Sequence, residues 1–538
     1  MTRLLKLSVL VALLGSFASA TYVPVNRAVS LNETSCKHNA TRPRRNHGAR
    51  PLNGTPLPDA ADIGSQNSTQ PAEGSYNATA PEIGWQNTTQ PVPATTSDGS
   101  KNTTSNDIGW QNATQPDAAV GEVGYNETSL DNSTVTATLS ACNLDGGYIA
   151  AAWYPSWLAS NHPLESLSWG KYNVMTFSFA TTTPDPSVLD LDAESQVLLS
   201  KFVQQAKEHG VSALVSVGGW GGSRYFSGAV ATAESRTSFV KAVVDLATKY
   251  DLDGIDFDWE FPNKQAIGCN QIAADDTANY LKFLQELRQD PVGSKLVLTA
   301  AVGLAPFVGS DGQPLTDVSG FGEVFDFIAI MAYDVWGTWA DSVGPNAPLQ
   351  DSCAPIAMGS AASAVAAWSG AGFPANKIIL GVPAYGRSYY VEPTNAVDAS
   401  GQLSPYVPFD KTKQPLGENE TGEQTVDQCG TTSGPSGLFN FEGLVSAGFL
   451  TDAGDAAAGV VYRFDECSQT AFAYKEETRT MISYDDAAAF AAKGKFVAAQ
   501  GLGGFAIWHG VGDHNDILLD AVSGGMGVSG GSGLTQCS

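Results

Sequence analysis

Positively charged residues are scarce in this 538-residue chain. Lysine and arginine together number 29, against 55 aspartate and glutamate residues, and the formal net charge at pH 7 is −26. A negative field of this size repels nucleic acid and anionic lipid surfaces. We therefore expect neither a nucleic-acid nor a membrane partner, and the charge suits a neutral or cationic substrate.

Long apolar runs are also lacking. The first twenty residues combine basic Arg3 and Lys6, a short apolar stretch and the small-residue site ASA at residues 18–20, which is the pattern of a cleaved secretory signal. That stretch is too short to span a membrane, and nothing later reaches the required length of about 18 apolar residues. The pattern predicts a signal peptide over residues 1–20 and a secreted, extracellular protein, either free or associated with a cell wall.

Cysteines at zinc-ligand spacing are absent as well. In an oxidising extracellular setting the cysteines predict disulfides, and their odd number leaves one thiol unpaired. Cys36, far from the others in the chain, is the expected unpaired residue. We expect no metal and no cofactor. The seven cysteines are Cys36, Cys142, Cys269, Cys353, Cys429, Cys467 and Cys537.

Residues 21–142 differ in composition from the rest of the chain. They are rich in Asn, Thr, Ser, Pro and Ala and show no sustained apolar period. A short motif occurs three times, as IGSQNSTQP, IGWQNTTQP and IGWQNATQP, and each copy holds an Asn-x-Ser/Thr sequon. We predict a disordered, glycosylated tail that acts as a spacer. Its sequons are at Asn32, Asn39, Asn53, Asn67, Asn77, Asn87, Asn102, Asn112, Asn126 and Asn132, and one more occurs later at Asn419.

After residue 142 the chain alternates between apolar strand-like segments and helical ones. Helical segments such as AESQVLLSKFVQQAKEHG, from Ala193, and DDTANYLKFLQELRQD, from Asp275, separate several of the strands. This alternation predicts a parallel sheet covered by helices. Eight units fit a (β/α)8 TIM barrel of the α/β class, and an open doubly wound sheet is the alternative. The eight strand segments are GYIAAAWY (147–154), NVMTFSFA (173–180), VSALVSVGG (211–219), DGIDFDWE (253–260), KLVLTAAVG (295–303), FDFIAIMAY (325–333), KIILGVPAY (377–385) and GGFAIWH (503–509).

A long segment separates the seventh strand from the eighth. It contains the strand-like stretches YYVEP, VVYRFD and TMISYDD, so we predict an α+β subdomain inserted beside the barrel. We place this insertion at about residues 387–475, the whole barrel domain at 143–523 and a flexible C-terminal tail at 524–538.

The most unusual segment is DGIDFDWEFP, residues 253–262, which places four carboxylates within eight positions of an otherwise apolar strand. Because side chains alternate along a strand, Asp256, Asp258 and Glu260 share one face. In a barrel this face lines the interior, and Glu260 lies at the C-terminal rim, where barrel active sites are found. Asp253 begins the strand, and we expect it to position the strand.

Three inward carboxyl groups, spaced about 6 to 7 Å apart along the strand, cannot all ionise at low cost. Burial and like charge raise their pKa values, and a glutamate that keeps its proton near working pH is suited to general acid catalysis. The alternatives are a buried polar network and a divalent-metal site, although no histidine is near and the calcium-loop pattern is absent.

The acidic strand resembles the Asp-x-x-Asp-x-Asp-x-Glu signature of glycoside hydrolase family 18, the chitinases. Four further motifs match in the order of that family: SVGGW at 216–220, MAYD at 331–334, GVPAYGRS at 381–388 and GGFAIWHG at 503–510. The segments GLFNFEGLV, from Gly437, and YRFDECSQTAF, from Tyr462, resemble the subdomain inserted in fungal and bacterial-type members. The resemblance covers about Leu144 to Ser523 and does not include the tail.

The resemblance implies a secreted chitinase that cleaves β-1,4 bonds between N-acetylglucosamine units with retention of configuration. In this family the substrate's own acetamido group attacks the anomeric carbon. Glu260 is then the acid and base, Asp258 orients the acetamido N–H, and Asp256 shares a proton with Asp258. Tyr333 corresponds to the tyrosine that binds the acetamido carbonyl. The implied substrate-binding residues are Trp508, Trp220, Met331, Asp334, Tyr385, Arg387 and Trp153, with Asp253 and Ser216 in supporting positions.

Two positions depart from the family pattern, because Trp153 stands where a tyrosine is common and Ala332 where an asparagine is common. Neither departure removes a catalytic group. Three other functions fit parts of the sequence: a chitin-binding lectin on the same barrel, an endoglycosidase acting on N-glycans, and a structural wall glycoprotein. Lectins of this family lack the acidic glutamate, whereas Glu260 is present. We expect a monomer that acts on chitin or chito-oligosaccharides.

The spacer interpretation of the tail is directly testable. A chain that starts at Leu144 should keep its hydrolysis of soluble chito-oligosaccharides largely intact, because the family motifs all lie after that residue. Release of reducing sugar measures the activity. Failure of the shortened chain to fold would contradict a spacer role.

Overall fold

The computed structural model describes residues 147–528. The predicted signal peptide, the tail with its ten sequons, and Cys36, Cys142 and Cys537 lie outside these residues. Within the described part of the chain, no helix is long and apolar enough to cross a membrane.

Eight parallel strands close into a ring. Their order is β1, β16, β8, β7, β6, β5, β4 and β2, and β2 pairs back with β1. The TIM-barrel prediction is therefore confirmed, and the open-sheet alternative is wrong. Numbered in chain order, the strands of residues 147–528 are β1 Ile149–Pro155, β2 Val174–Thr182, β3 Leu189–Asp190, β4 Ser212–Gly218, β5 Gly254–Asp258, β6 Val297–Val302, β7 Phe327–Ile330, β8 Ile378–Pro383, β9 Tyr385–Tyr390, β10 Thr425–Val426, β11 Thr432–Ser433, β12 Leu438–Asn440, β13 Val460–Asp465, β14 Thr470–Lys475, β15 Thr480–Tyr484 and β16 Gly504–Trp508.

Helices connect the strands and cover the outside of the barrel. The first one shows how local sequence sets both ends, because the carboxylate of Asp192 accepts the N–H groups of Glu194 and Ser195, and left-handed Gly210 ends the helix. The α-helices of residues 147–528 are α1 Ala193–His209, α2 Gly219–Gly222, α3 Phe226–Val230, α4 Ala233–Tyr250, α5 Asp276–Gln289, α6 Ser319–Val324, α7 Ala361–Gly370, α8 Pro393–Ala396, α9 Phe441–Ser446, α10 Ala487–Ala499 and α11 Ile517–Met526. Short 3-10 turns lie at Ser156–Leu158, Leu164–Ser166, Trp169–Lys171, Gly293–Lys295 and Ala375–Lys377.

The apolar side chains of β5 face the helices. Ile255 and Phe257 are fully buried. The ring of Phe257 meets Tyr280 and Phe283 of α5 edge-on, at centroid distances of 6.2 and 5.5 Å. Burial of a side chain of this size stabilises the fold by about 1.5–3 kcal/mol. Because this face is fixed outward, the alternate acidic residues of β5 must point into the barrel.

The insertion is a five-stranded antiparallel sheet between β8 and β16, in the order β12, β9, β15, β14, β13. An α+β insertion at this place was predicted, but its predicted end at about residue 475 is too early. Strand β15 pairs with β9 on one side and β14 on the other, so the sheet is complete only at Tyr484. The predicted start at about residue 387 falls inside β9.

Two disulfides join the insertion to loops of the barrel. Cys269–Cys429 links the loop after β5 to the turn between β10 and β11, and Cys353–Cys467 links the loop after β7 to the turn between β13 and β14. The prediction of disulfides is thus confirmed for these four cysteines. They bridge 160 and 114 residues of sequence. In the chain-entropy model, a disulfide that closes a loop of this length stabilises the folded protein by roughly 5 kcal/mol.

The C-terminal boundary lies later than predicted. A flexible tail was expected from residue 524, but α11 continues to Met526, whose side chain is only 7% exposed. Leu519, Val522 and Met526 recur at helical spacing and belong to the main hydrophobic core, which holds the last turn of the helix in place.

Candidate active site

The deepest acid of β5 is held by three hydrogen-bond donors. Asp256 is 2% exposed. One of its oxygens accepts from Trp153 Nε1 at 3.1 Å and from the Ser216 hydroxyl at 2.8 Å, and the other accepts from the Thr299 hydroxyl at 2.6 Å. Burial raises the pKa of Asp256, while these three hydrogen bonds lower it. Asp256 is therefore the acid of this row that is best equipped to carry a negative charge.

The register of the barrel sheet places these donors. Ser216 on β4, Asp256 on β5 and Thr299 on β6 are direct neighbours across three parallel strands. Further along β4, Gly218 has a φ of 113°, and a Cβ atom at this position would lie 2.1 Å from the carbonyl oxygen of Asp258. Only glycine permits β4 to approach β5 this closely.

Asp258 is the middle acid of the row and is 6% exposed. Its Oδ1 atom is buried without a hydrogen-bond partner among residues 147–528. Burial raises the pKa of Asp258 well above its ordinary value, and the charges of Glu260 and Asp256 raise it further. Burial thus favours the neutral form of Asp258, and its Oδ1 atom is available to accept a hydrogen bond from a ligand.

Glu260 follows β5 at the rim of the barrel. Burial raises its pKa from 4.5 to about 8, and the negative charge of Asp334 contributes to the rise. The hydrogen bonds found for Glu260 in the described structure all involve its backbone, at its N–H and its carbonyl oxygen. At neutral pH the carboxyl group therefore keeps its proton, and no side chain among residues 147–528 accepts it in a hydrogen bond.

The segment after β7 contributes an acid that is already paired. One carboxylate oxygen of Asp334 accepts from the Tyr385 hydroxyl at 2.6 Å and from Nε and Nη2 of Arg387 at 2.8 and 2.6 Å. The Arg387 guanidinium also lies 4.7 Å from the ring centre of Trp339. This cluster holds Asp334 near Glu260 in an ion pair with Arg387.

Tyr333 lies close to both this ion pair and the carboxyl row. Its ring is 6.1 Å from that of Tyr385. Burial raises the pKa of Tyr333 well above 10, and the charge of Asp258 is the next largest cause. The phenol therefore stays protonated and can donate a hydrogen bond. Met331, two residues earlier, packs with Trp508 against the apolar interior of the barrel.

Aromatic rings surround the end of β16. Trp508 lies 6.0 Å from Trp153, 5.8 Å from Phe179 and 6.4 Å from Trp157, measured between ring centroids. Trp157 stacks on Phe179 at 6.0 Å and is 57% exposed, whereas Trp153 is only 4% exposed. Trp153 was predicted to bind substrate. It is buried beside Trp508, where its indole N–H donates to Asp256, and its contact with substrate stays a prediction.

Two more indoles are exposed at the same rim. Trp220, in α2 directly after β4, is 47% exposed, and Trp339, in the loop after β7, is 49% exposed. Trp157 follows β1, and the C-terminal ends of parallel barrel strands meet at one face. Three exposed aromatic faces therefore lie at the same end of the barrel as Glu260, and such faces suit the apolar C–H side of a pyranose ring.

The structure brings most of the predicted site residues together at the rim, but not Asp253. That carboxylate lies at the opposite end of β5 and accepts the backbone N–H of Ala213 at 2.8 Å. The role of Thr299 was not predicted, although it is the only hydroxyl residue in KLVLTAAVG and lies on the inward-facing phase of β6. Phe179, Trp157 and Trp339 were also not predicted as site residues.

The arrangement offers an acid but no free carboxylate nucleophile. Glu260 keeps its proton at neutral pH, burial favours the neutral form of Asp258, Asp256 is occupied by three donors, and Asp334 is paired with Arg387. Among the residues that the structure describes, no three His, Cys, Asp or Glu side chains are arranged to hold a metal ion. The site can protonate a leaving group, while the nucleophile must come from water or from the substrate.

Comparison with known protein families extends these observations. The family model described as glycosyl hydrolases family 18 matches residues 150–513. Two fungal relatives, from Moniliophthora perniciosa and Moniliophthora roreri, are each named chitinase-like effector and are 47% identical to this chain. Their matches cover 72% and 73% of this chain and 89% and 96% of the relatives. Chitinase A1 of Niallia circulans is 29% identical over 59% of this chain and 43% of its own.

Solved structures show the same architecture. A chitinase from Rhizomucor miehei superimposes with a TM-score of 0.62 at 35% identity, over 70% of this chain and 99% of its own. A GH18 chitinase from Cycas revoluta, solved in complex with (GlcNAc)3, gives a TM-score of 0.56 over 70% of this chain and 99% of its own. At 23% identity, the second similarity supports the fold alone.

The electrostatics of the rim predict the effect of one substitution. Asp334→Asn should lower the pKa of Glu260 below about 8, because it removes a negative charge that favours the protonated form. Difference infrared spectroscopy can follow the carboxylic-acid band that disappears as pH rises, and absence of the band from Glu260→Gln assigns it.

Asp341→Asn is the matched control. Asp341 lies in the same loop, is 91% exposed and pairs with Lys411, so its replacement should leave the midpoint of the Glu260 titration unchanged. An equal midpoint for Asp334→Asn and the wild type would contradict the electrostatic account.

Proposed function

The chain belongs to glycosyl hydrolases family 18, and on this premise we propose that it is a chitinase that hydrolyses β-1,4 bonds between N-acetylglucosamine units of chitin and chito-oligosaccharides. The observation that carries the proposal is the protonated carboxyl of Glu260 at the barrel rim, with a pKa of about 8. Hydrolysis of a glycosidic bond begins with proton donation to the leaving oxygen, which such a group can supply.

In the first step, Glu260 transfers its proton to the glycosidic oxygen as the bond to the anomeric carbon breaks. The carbonyl oxygen of the substrate's 2-acetamido group attacks the same carbon and closes a cyclic oxazolinium ion. This route is supported by the state of the neighbouring acids. Burial raises the pKa of Asp258 and so favours its neutral form, and Asp256 is held by three donors, so neither is placed as a free carboxylate nucleophile.

In the second step, the Glu260 carboxylate removes a proton from water, and the resulting hydroxide opens the oxazolinium ion from the face that the leaving group vacated. The acetamido group is restored, Glu260 regains its proton and the β configuration is retained. One carboxyl group thus serves first as acid and then as base, which is why a second ionised carboxylate at the rim is not needed.

The two remaining acids act on the acetamido group. The unpartnered oxygen of Asp258 can accept the acetamido N–H. When positive charge develops on the oxazolinium ring, Asp258 is favoured in its ionised form, and Asp256 shares the proton. The Tyr333 hydroxyl stays protonated and can donate to the acetamido carbonyl oxygen, which orients it for attack.

Substrate binding is assigned to the exposed aromatic residues and the ion pair at the rim. Trp508 forms the floor under the sugar that reacts, and Trp220, with its exposed indole, lies on the leaving-group side. The pair of Asp334 and Arg387 lines the same groove.

A second candidate function is binding of chito-oligosaccharides without turnover. It is suggested by two relatives at 47% identity that are named chitinase-like effector. The exposed indoles alone could serve such a role. The presence of Glu260 favours hydrolysis.

We also propose that the protein is secreted, glycosylated and monomeric. The two disulfides support secretion, because disulfides persist in oxidising compartments.

The decisive substitution is Glu260→Gln. It should lower kcat for chitohexaose by roughly 10² to 10⁴, the usual contribution of general acid catalysis, while the affinity for the oligosaccharide is retained. Glu208→Gln, an exposed change at the end of α1, should leave kcat unchanged. Wild-type products observed early by NMR should be β-anomers.

Each other outcome has a distinct meaning. Early α-anomers would contradict the retaining mechanism. If the wild type binds chitohexaose tightly but does not hydrolyse it, the protein is an oligosaccharide-binding protein and the proposal of hydrolysis is contradicted.

A further inference from the structure

The position of the Glu260 carboxyl depends on its backbone. All hydrogen bonds found for Glu260 within residues 147–528 are made by its main chain, so no partner on the side chain fixes where the proton donor lies. The residue also lies two positions after Asp258, the last paired residue of β5, so the strand ladder does not hold it. Whatever holds the Glu260 main chain therefore sets the geometry of catalysis.

Ser223 holds the N–H side of this residue. The Glu260 N–H donates to the Ser223 hydroxyl oxygen at 3.0 Å. The same hydroxyl lies 3.0 Å from the carbonyl oxygen of Asp258 and 2.8 Å from that of Gly219, to either of which it can donate. Ser223 is fully buried, so it joins the loop after β4 to the backbone on which the catalytic carboxyl group is carried.

Asn270 holds the other side. Its Nδ2 donates to the Glu260 carbonyl oxygen at 3.0 Å. The amide oxygen of Asn270 is buried without a partner in the described structure, so the side chain is oriented by the bond that it donates to Glu260. The next residue, Gln271, ties this loop to α3 and the segment before it, through Arg224 O at 2.9 Å and Gly228 N at 3.2 Å.

The residue before Asn270 is covalently linked to the insertion. Cys269 forms a disulfide with Cys429, in the turn between β10 and β11. The second disulfide, Cys353–Cys467, also joins the insertion to a barrel loop, but that loop follows β7 and makes no hydrogen bond to Glu260 in the described structure. Only one of the two disulfides is therefore adjacent to a contact with the catalytic residue.

We infer that Ser223 and Asn270 are positioning residues for Glu260, and that the Cys269–Cys429 disulfide anchors Asn270 so that the insertion helps to hold the catalytic acid. The inference rests on the proposed hydrolytic function and deepens it. Neither side chain needs to touch substrate, because both act on the two polar groups of the Glu260 main chain. Their loss should lower the rate of the chemical step while substrate binding is preserved.

The first test is Asn270→Ala. A displacement of about 1 Å at a catalytic group costs roughly 10²-fold in rate, so kcat for chitohexaose should fall between tenfold and a hundredfold while KM stays the same. Affinity can be measured without turnover by adding Glu260→Gln to the wild type and to Asn270→Ala. The two resulting proteins should bind chitohexaose equally well. A fall in affinity that accounts for the whole loss would overturn a positioning role.

The second test compares the two disulfides. Cys269→Ser with Cys429→Ser should lower kcat as Asn270→Ala does, and adding Asn270→Ala to it should lower kcat little further. Cys353→Ser with Cys467→Ser should lower the thermal midpoint to a similar extent but lower kcat much less, because that loop makes no hydrogen bond to Glu260 in the described structure. Equal kcat losses in the two pairs would show that general loosening, not the contact with Glu260, is responsible, and would overturn the inference.

The outcomes separate this inference from the proposed function. If the wild type is inactive, both the proposed hydrolytic function and the positioning inference are contradicted. An active wild type with unchanged kcat in Asn270→Ala removes only the inference. If the Cys269 and Cys429 pair of substitutions prevents folding, Asn270→Ala and Ser223→Ala decide the question, and both must lower kcat at constant KM.

Discussion

Three carboxyl groups on one face of a buried strand cannot all be ionised, and this constraint organises the site. The strand β5 points Asp256, Asp258 and Glu260 toward the barrel axis, where water does not screen their mutual repulsion. The donors around Asp256 favour a negative charge at the bottom of the row. Protonation is therefore favoured at Asp258 and at Glu260 on the rim, where a proton is needed for catalysis.

The surrounding fold serves this distribution of charge. Direct register across β4, β5 and β6 supplies Ser216 and Thr299 as donors, and the absence of a side chain at Gly218 lets β4 approach the Asp258 backbone. At the rim, Arg387 neutralises Asp334, which remains close enough to raise the pKa of Glu260. The insertion contributes part of this arrangement, because Arg387 lies on β9, the strand at which the insertion begins.

Much of this was predictable from local patterns. The period of two along DGIDFDWE placed the three acids on one face, and the alternation of apolar strands with helices predicted the barrel. Contacts that depend on distant register were not predicted: Thr299 meets Asp256 only through the pairing of β5 with β6. The burial of Trp153 also depends on its neighbour Trp508 from the last strand. The end of the insertion was missed because β15 is defined by pairing with β9, far back in the chain.

The central claim is that the protein supplies the proton while the substrate supplies the nucleophile. The most direct measurement compares the hydrolysis of chitohexaose with that of the same hexamer lacking all N-acetyl groups, under conditions in which binding of each is measured separately. The account predicts rapid cleavage of the acetylated hexamer and no cleavage of the bound de-N-acetylated one. Comparable rates for the two bound hexamers would show that a protein carboxylate or water attacks directly, and would contradict the account.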